Sequence, residues 1–187
     1  MTTGTLTRPT RTAAGPRTGA WLIDSQRAVV AFSGKASFLT PTINARFLGV
    51  AGSVNVAATS RGLRGAVDVS VDVRSIATGN PTWDDLITSL DPFHAARFPV
   101  AVYRSTSVSW TDGQATIDGT LTLSGVTKSV PLSASYDVAR DGRRMLVRAA
   151  GSIDRKAFGI SFDLPGGGKL VPQVMRLAID VDAALAV

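Results

Sequence analysis

The side chains that could do chemistry are few and poorly grouped. His94 is the single histidine and cysteine is absent, so a histidine-based or thiolate metal site has no ligand set, and no carboxylates are spaced for an all-oxygen one. A Ser-His-Asp triad would have to use His94, and the chain has no G-x-S-x-G elbow. Asp84 and Asp85 adjoin, but neighbours on one helix project about 100° apart, which makes a poor acid–base pair. G-G-G-K at 166–169 lacks the leading glycine and the following Ser or Thr of a phosphate loop, and reads as a flexible connection. What remains is a large set of apolar and aromatic side chains, whose one general skill is to take hydrocarbon out of water.

The elements that must position them are strands. V-D-V-S-V-D-V (Val67 to Val73) alternates strictly, with valines on one side and Asp68, Ser70 and Asp72 on the other, the signature of a half-buried β-strand. Gly79, Asn80 and Pro81 stop it. Thr82 is placed to cap a short helix carrying Trp83, Leu86, Ile87 and Leu90 at helical spacing, and Asp91-Pro92 ends that helix before Phe93 and Phe98. A valine-faced strand that feeds an aromatic-bearing insertion predicts an apolar interior with something laid over its mouth.

The 187 residues suit one domain with a substantial core. Every acidic residue is Asp, and the lack of the better helix former Glu argues against long helices. The net charge of +6 includes Arg8, Arg11 and Arg17, all in an acid-free start. The rest of the charge is dispersed, which describes solvation better than a phosphate footprint, so no nucleic-acid partner is expected. Residues 1–19 read as a flexible tail and 20–187 as a single barrel domain. No apolar run is long enough to span a membrane, and the start lacks a secretory h-region; a cytoplasmic location is expected, with envelope association also compatible.

Along the chain, strands follow one another through short turns. Ser37 to Pro41 reads as an irregular piece holding Phe38, and the glycines at 49 and 52 predict a bend or bulge. Ala115, Ile117, Gly119, Leu121 and Leu123 share one face; so do Val130, Leu132, Ala134, Tyr136 and Val138, and later Met175, Leu177, Ile179, Val181 and Ala183. The fold class is all-β, about eight antiparallel strands with a short helical insertion around residues 82–95. A closed barrel and a β-sandwich share this pattern. Small inward residues (Ala115, Gly119, Ala134, Ala149, Gly151) favour a hollow barrel.

Four stretches stand in order along the chain: W-L-I-D with V-A-F-S-G beyond it (Trp21 to Gly34), R-S-I-A-T-G-N (Arg74 to Asn80) followed by Asp84, Asp91, Phe93 and Phe98-Pro99, G-T-L-T-L-S-G-V-T-K (Gly119 to Lys128), and D-R-K-A-F-G-I (Asp154 to Ile160). Together they resemble the YceI-like family of bacterial lipid- or polyisoprenoid-binding proteins. The resemblance covers about residues 20–185. It implies a lipocalin-like barrel with an apolar tunnel, a non-covalently held isoprenoid or similar long lipid, often a homodimer, and no cofactor. Where relatives commonly carry an Arg and a His in the insertion, this chain has Trp83 and Leu86, which predicts a purely apolar mouth.

On that reading the tunnel-lining candidates are Phe32, Phe47, Val69, Val71, Trp83, Leu86, Phe93, Val102, Leu121, Phe158 and Leu177, each also able to be plain core. Arg155 could meet a polar or anionic head group through forked hydrogen bonds, though a salt bridge with an aspartate is the commoner use of such a residue. Two other readings make different demands. A lipocalin-like hydrolase or isomerase acting on a small apolar substrate needs a polar, ionisable cluster deep inside, and a packed structural domain needs no cavity.

Overall fold

A computed structural model of the chain describes residues 15–35, 42–162 and 171–186. The Phe38 piece, the G-G-G-K connection and the first fourteen residues of the expected tail lie outside the described residues. The alternating stretches form twelve strand segments: β1 (Gly19–Ile23), β2 (Val29–Gly34), β3 (Ile43–Phe47), β4 (Val50–Thr59), β5 (Gly62–Asp72), β6 (Ile76–Ala77), β7 (Val100–Thr111), β8 (Gln114–Leu123), β9 (Val126–Ser129), β10 (Leu132–Val138), β11 (Arg144–Asp154) and β12 (Val174–Leu185). One helix, α1 (Pro81–Leu90), follows β6.

The segments make eight ribbons, because four ribbons are each broken once. Antiparallel pairing runs β1-β4-β5-β7-β8-β10-β11-β12, and β12 returns to β1 through Trp21↔Leu185 and Ile23↔Ala183. That closure makes the all-β fold an eight-stranded barrel and removes the sandwich, whose sheets would keep free edges. β2, β3 and β6 prolong the ribbons of β1, β4 and β5 beyond the breaks, while β9 prolongs that of β10 along β8.

Two of the breaks are held by specific polar contacts. At the β3–β4 break, the Ser75 hydroxyl accepts from the backbone N–H groups of Leu48 (3.1 Å) and Gly49 (2.8 Å) while donating to Asp72 O. At the β1–β2 break, Asp24 N–H donates to Asp182 O, and Arg144 and Arg27 both donate to the Asp182 carboxylate. Asp182 lies on the polar side of the β12 alternation, yet it is 7% exposed because these two arginines and the kinked ribbon cover it.

The N-cap of α1 lies two residues earlier than expected. Asn80, not Thr82, is the N-cap: its Oδ1 accepts from Thr82 N–H (3.0 Å) and Trp83 N–H (3.4 Å), and Pro81 takes the first helical position, where a missing N–H is harmless. Asp91 ends the helix in the left-handed region (φ 41°) and its carboxylate then accepts from Ala95 N–H at 2.6 Å. The expected tail also ends earlier than residue 19. Pro16 is buried and Arg17 O accepts from Trp21 Nε1 at 2.9 Å, so Gly15–Thr18 lies against the barrel.

One end of the barrel is solid. Trp21, Met145 and Ala183 are fully buried there, and Trp110 meets Tyr136 edge to face at 5.2 Å. Most of the small inward residues do not open space, contrary to expectation. A Cβ added at Gly119 would lie 2.5 Å from Tyr103 Oη and 2.6 Å from Arg104 O, and one at Gly151 would lie 2.6 Å from Leu132. These glycines are occupied by larger neighbours, and Ala115 and Ala134 are core. Gly119→Ala should therefore destabilise by about 1–3 kcal/mol, read as a lower midpoint in urea; a neutral result would mean that the site is open.

Candidate functional site

Above the solid end the inward faces stand apart around a cavity of ≈ 150 Å³. All eight ribbons reach it: Ile23 and Phe32 from the first, Phe47 and Val54, then Val67, Val69 and Val71, Tyr103 from β7, Leu121 from β8, Leu132 from β10, Val147 from β11 and Leu177, Ile179 and Val181 from β12. Its exposed surface is entirely hydrocarbon and aromatic. Such a space holds no bridging water, because water needs polar partners. Tyr103 turns its hydroxyl away to donate to Val130 O at 3.0 Å, and burial pushes its pKa up to about 12.

A second cavity of ≈ 310 Å³ adjoins the first beneath α1. It is walled by β3 and β6 (Ile43, Asn44, Ala45, Ile76), by Thr42, Thr78 and Asn80, and by Trp83 and Ile87 of the helix. Phe32, Phe162 and Val171 belong to both walls and divide this outer chamber from the lumen. Aromatic contacts run through the partition: Phe32–Phe47 at 5.4 Å, Phe47–Phe93 at 5.6 Å and Phe93–Phe162 at 6.1 Å. None of the residues of α1 is fully buried: Trp83 and Ile87 face the chamber, and Ile87 also packs against the core. Caps and one carboxylate hold the helix as well. Asp84 Oδ1 accepts from Thr78 N–H (2.7 Å) and Thr78 Oγ1 (2.6 Å), and those two bonds lower its pKa.

Arg155 is 4% exposed on the lumen wall, and its partners are not aspartates. Nε donates to Pro172 O (3.0 Å), Nη1 to Ile160 O (2.8 Å) and Nη2 to Val171 O (3.0 Å), while its guanidinium sits 5.8 Å from the Phe162 ring. The expected salt bridge is replaced by three carbonyls that a strand ladder leaves unpaired. Asp154 sets the geometry by capping the turn: its carboxylate accepts from Lys156 N–H at 2.9 Å and Gln173 Nε2 at 2.7 Å.

Of the candidates named from sequence, Phe32, Phe47, Val69, Val71, Phe93, Leu121 and Leu177 lie on the lumen wall, and Trp83 on the chamber wall. Three lie on neither. Val102 is displaced by the strict alternation of β7, which points Ala101 and Tyr103 inward. Leu86 sits one position round the helix from the Trp83–Ile87 line, and Phe158 is core at 2% exposure. The mouth is not purely apolar either, since Thr42, Asn44, Thr78 and Asn80 line it. Ile23, Val30, Tyr103, Val147, Ile179 and Phe162 were missed; Val147 and Ile179 follow from the period of two on strands already recognised.

A model of the YceI-like domain matches residues 21–183. The chain belongs to the YceI-like family. Protein YceI of Salmonella arizonae and of Salmonella newport are each 36% identical to it over 102 residues, 52% of this chain and 53% of theirs. The match thus spans about half the length of these curated relatives. Among solved structures, BcnA of Burkholderia cenocepacia superposes with a TM-score of 0.70 at 18% identity, covering 87% of this chain and 99% of that one. A polyisoprenoid binding domain from Saccharophagus degradans gives 0.70 at 12% identity (89% and 98%), and the Campylobacter jejuni YceI protein 0.67 at 21% (82% and 91%). At these identities the likeness is one of fold.

Two measurements check the supports of the YceI-like site. Arg155→Met should cost roughly 3 kcal/mol, because three buried carbonyls lose their donor; a midpoint within error of wild type would contradict the geometry. The Asp84 carboxyl should titrate below 3.8 by NMR. Because its folded pKa is depressed, the Asp84–Thr78 contact steadies α1 above the ordinary carboxylate value and is lost as pH falls through the folded one. Asp84→Asn should therefore alter the α1 resonances at neutral pH and converge with acidified wild type.

Proposed function

We propose that the protein binds and carries, or sequesters, one long-chain isoprenoid or similar lipid inside the barrel. The single observation behind this is the lumen: a hydrocarbon-walled space reached by every ribbon and closed at one end. Family membership and the fold shared with a polyisoprenoid binding domain support the same reading. A cavity of ≈ 150 Å³ accommodates only about a ring-sized guest as it stands. A longer chain must part Phe32 from Phe162 and draw on the outer chamber, whose helix packs against the core only through partly buried residues such as Ile87. At about 0.3 kcal/mol per heavy atom, a chain of about 30 carbons would gain roughly 9 kcal/mol, a sub-micromolar affinity. Hydrocarbon burial discriminates poorly between similar chains, so selection is by length and width.

The hydrolase or isomerase alternative is less well supported. Among the described residues the polar side chains on the lumen wall are Tyr103 and Arg155, and both are engaged with backbone carbonyls. Tyr103, its pKa pushed up to about 12, does not give up its proton at neutral pH.

Native mass spectrometry of protein purified from its own host should release a lipid of defined mass. Protein that is consistently empty, and ignores added polyprenyl and fatty chains, would sink the reading. Val69→Trp, which fills the lumen opposite Tyr103, should weaken chain uptake at least about tenfold with the far-ultraviolet circular dichroism of the barrel retained. About tenfold corresponds to 1.4 kcal/mol of lost binding.

A further inference from the structure

The outer chamber has about twice the volume of the lumen, at ≈ 310 Å³ against ≈ 150 Å³, and a wall of another kind. Beside Trp83 and Ile87 it presents Thr42, Asn44, Thr78 and Asn80, and no charged side chain lies on it among the described residues. Asn80 Oδ1 is engaged in capping α1 and the Thr78 hydroxyl in binding Asp84. The Asn44 amide and Asn80 Nδ2 have no hydrogen-bond partner among the described residues, and both belong to the chamber wall. The ionised groups bonded to wall residues are already occupied. Asp84 is held by Thr78, and Arg155 gives Nη2 to Val171 O from the far side of the partition.

We infer that the outer chamber receives an uncharged, hydrogen-bonding head group, a hydroxyl or a carbonyl-bearing ring, and rejects a phosphate or diphosphate. The inference rests on the reading that the lumen takes the chain. An amide both donates and accepts, which matches a hydroxyl or carbonyl, and the Trp83 face offers a flat surface to a ring. A diphosphate placed there would lose water without meeting a cation among the described residues, and would face the Asp84 carboxylate through Thr78.

The test is competition between farnesol and farnesyl diphosphate, which share one chain, read by native mass spectrometry. The bare alcohol partitions better into any apolar site, so the informative quantity is how the preference responds to Asn44→Lys, which adds a cation at an exposed strand position on the chamber wall. Wild type should prefer the alcohol, and Asn44→Lys should lower the alcohol-to-diphosphate ratio at least about tenfold. Should that variant fail to fold, Thr42→Lys just before β3 makes the same prediction. A ratio unmoved in a folded lysine variant, or wild type that takes the diphosphate as well as the alcohol, overturns the inference and leaves chain binding standing. If wild type takes up neither, chain binding falls and the inference with it.

Discussion

Closure of the hydrogen-bonded ring through β12 is the constraint on which the rest of the structure depends. β12 pairs with β11 along its whole length, while its other edge serves β2 from Arg176 to Asp180 and β1 from Ala183 to Leu185. One strand thus receives a ribbon that bends in the middle, and Asp182, between the two stretches, holds the bend with Arg144, Arg27 and the Asp24 N–H. A closed ring has no edge to offer another chain, and its inward faces cannot all meet at the centre. The hollow is a consequence of that geometry.

How the hollow is shared out depends on side-chain size at each level. Near Trp21 and Met145 large side chains fill the interior, and on the lumen wall Tyr103 covers Gly119 and Leu132 covers Gly151. Farther along, the facing residues are mostly valines, isoleucines and leucines, with Ala101 and Tyr103 from β7, as far as the Phe32–Phe162 partition. Beyond that lies a helix fastened by hydrogen bonds and only partly buried. The gradient from solid to hollow to loosely lidded gives the barrel a direction, with ligand access expected from the α1 end and stability from the other.

Arg155 shows how a charged side chain can be structural in an apolar interior. Removing a guanidinium from water is expensive unless its donors are met. Here three carbonyls of irregular backbone do so, and in return the cation satisfies carbonyls that no strand pairs. It thereby ties the turn after β11 to the segment before β12, next to the partition ring Phe162.

Much of this was legible in the chain itself, since period two is a local property. The inward faces of β5, β8, β10 and β12 could be read directly from residues such as Val69, Leu121, Tyr136 and Ile179, and so could the helical insertion and the family resemblance. Where every residue is apolar the period carries no phase: in Val100-Ala101-Val102-Tyr103 only pairing with β5 and β8 decides that Tyr103 faces the lumen and Val102 does not. Likewise a glycine in a strand reports only that space exists, while its neighbour across the sheet decides whether that space stays empty. The burial of Asp182 and the neutral polar rim around Asn44 join residues far apart in the chain, and Arg155 gathers carbonyls 5, 16 and 17 residues away onto one guanidinium. Such proximities follow from how the ribbons close and bend, so tertiary structure alone could supply them.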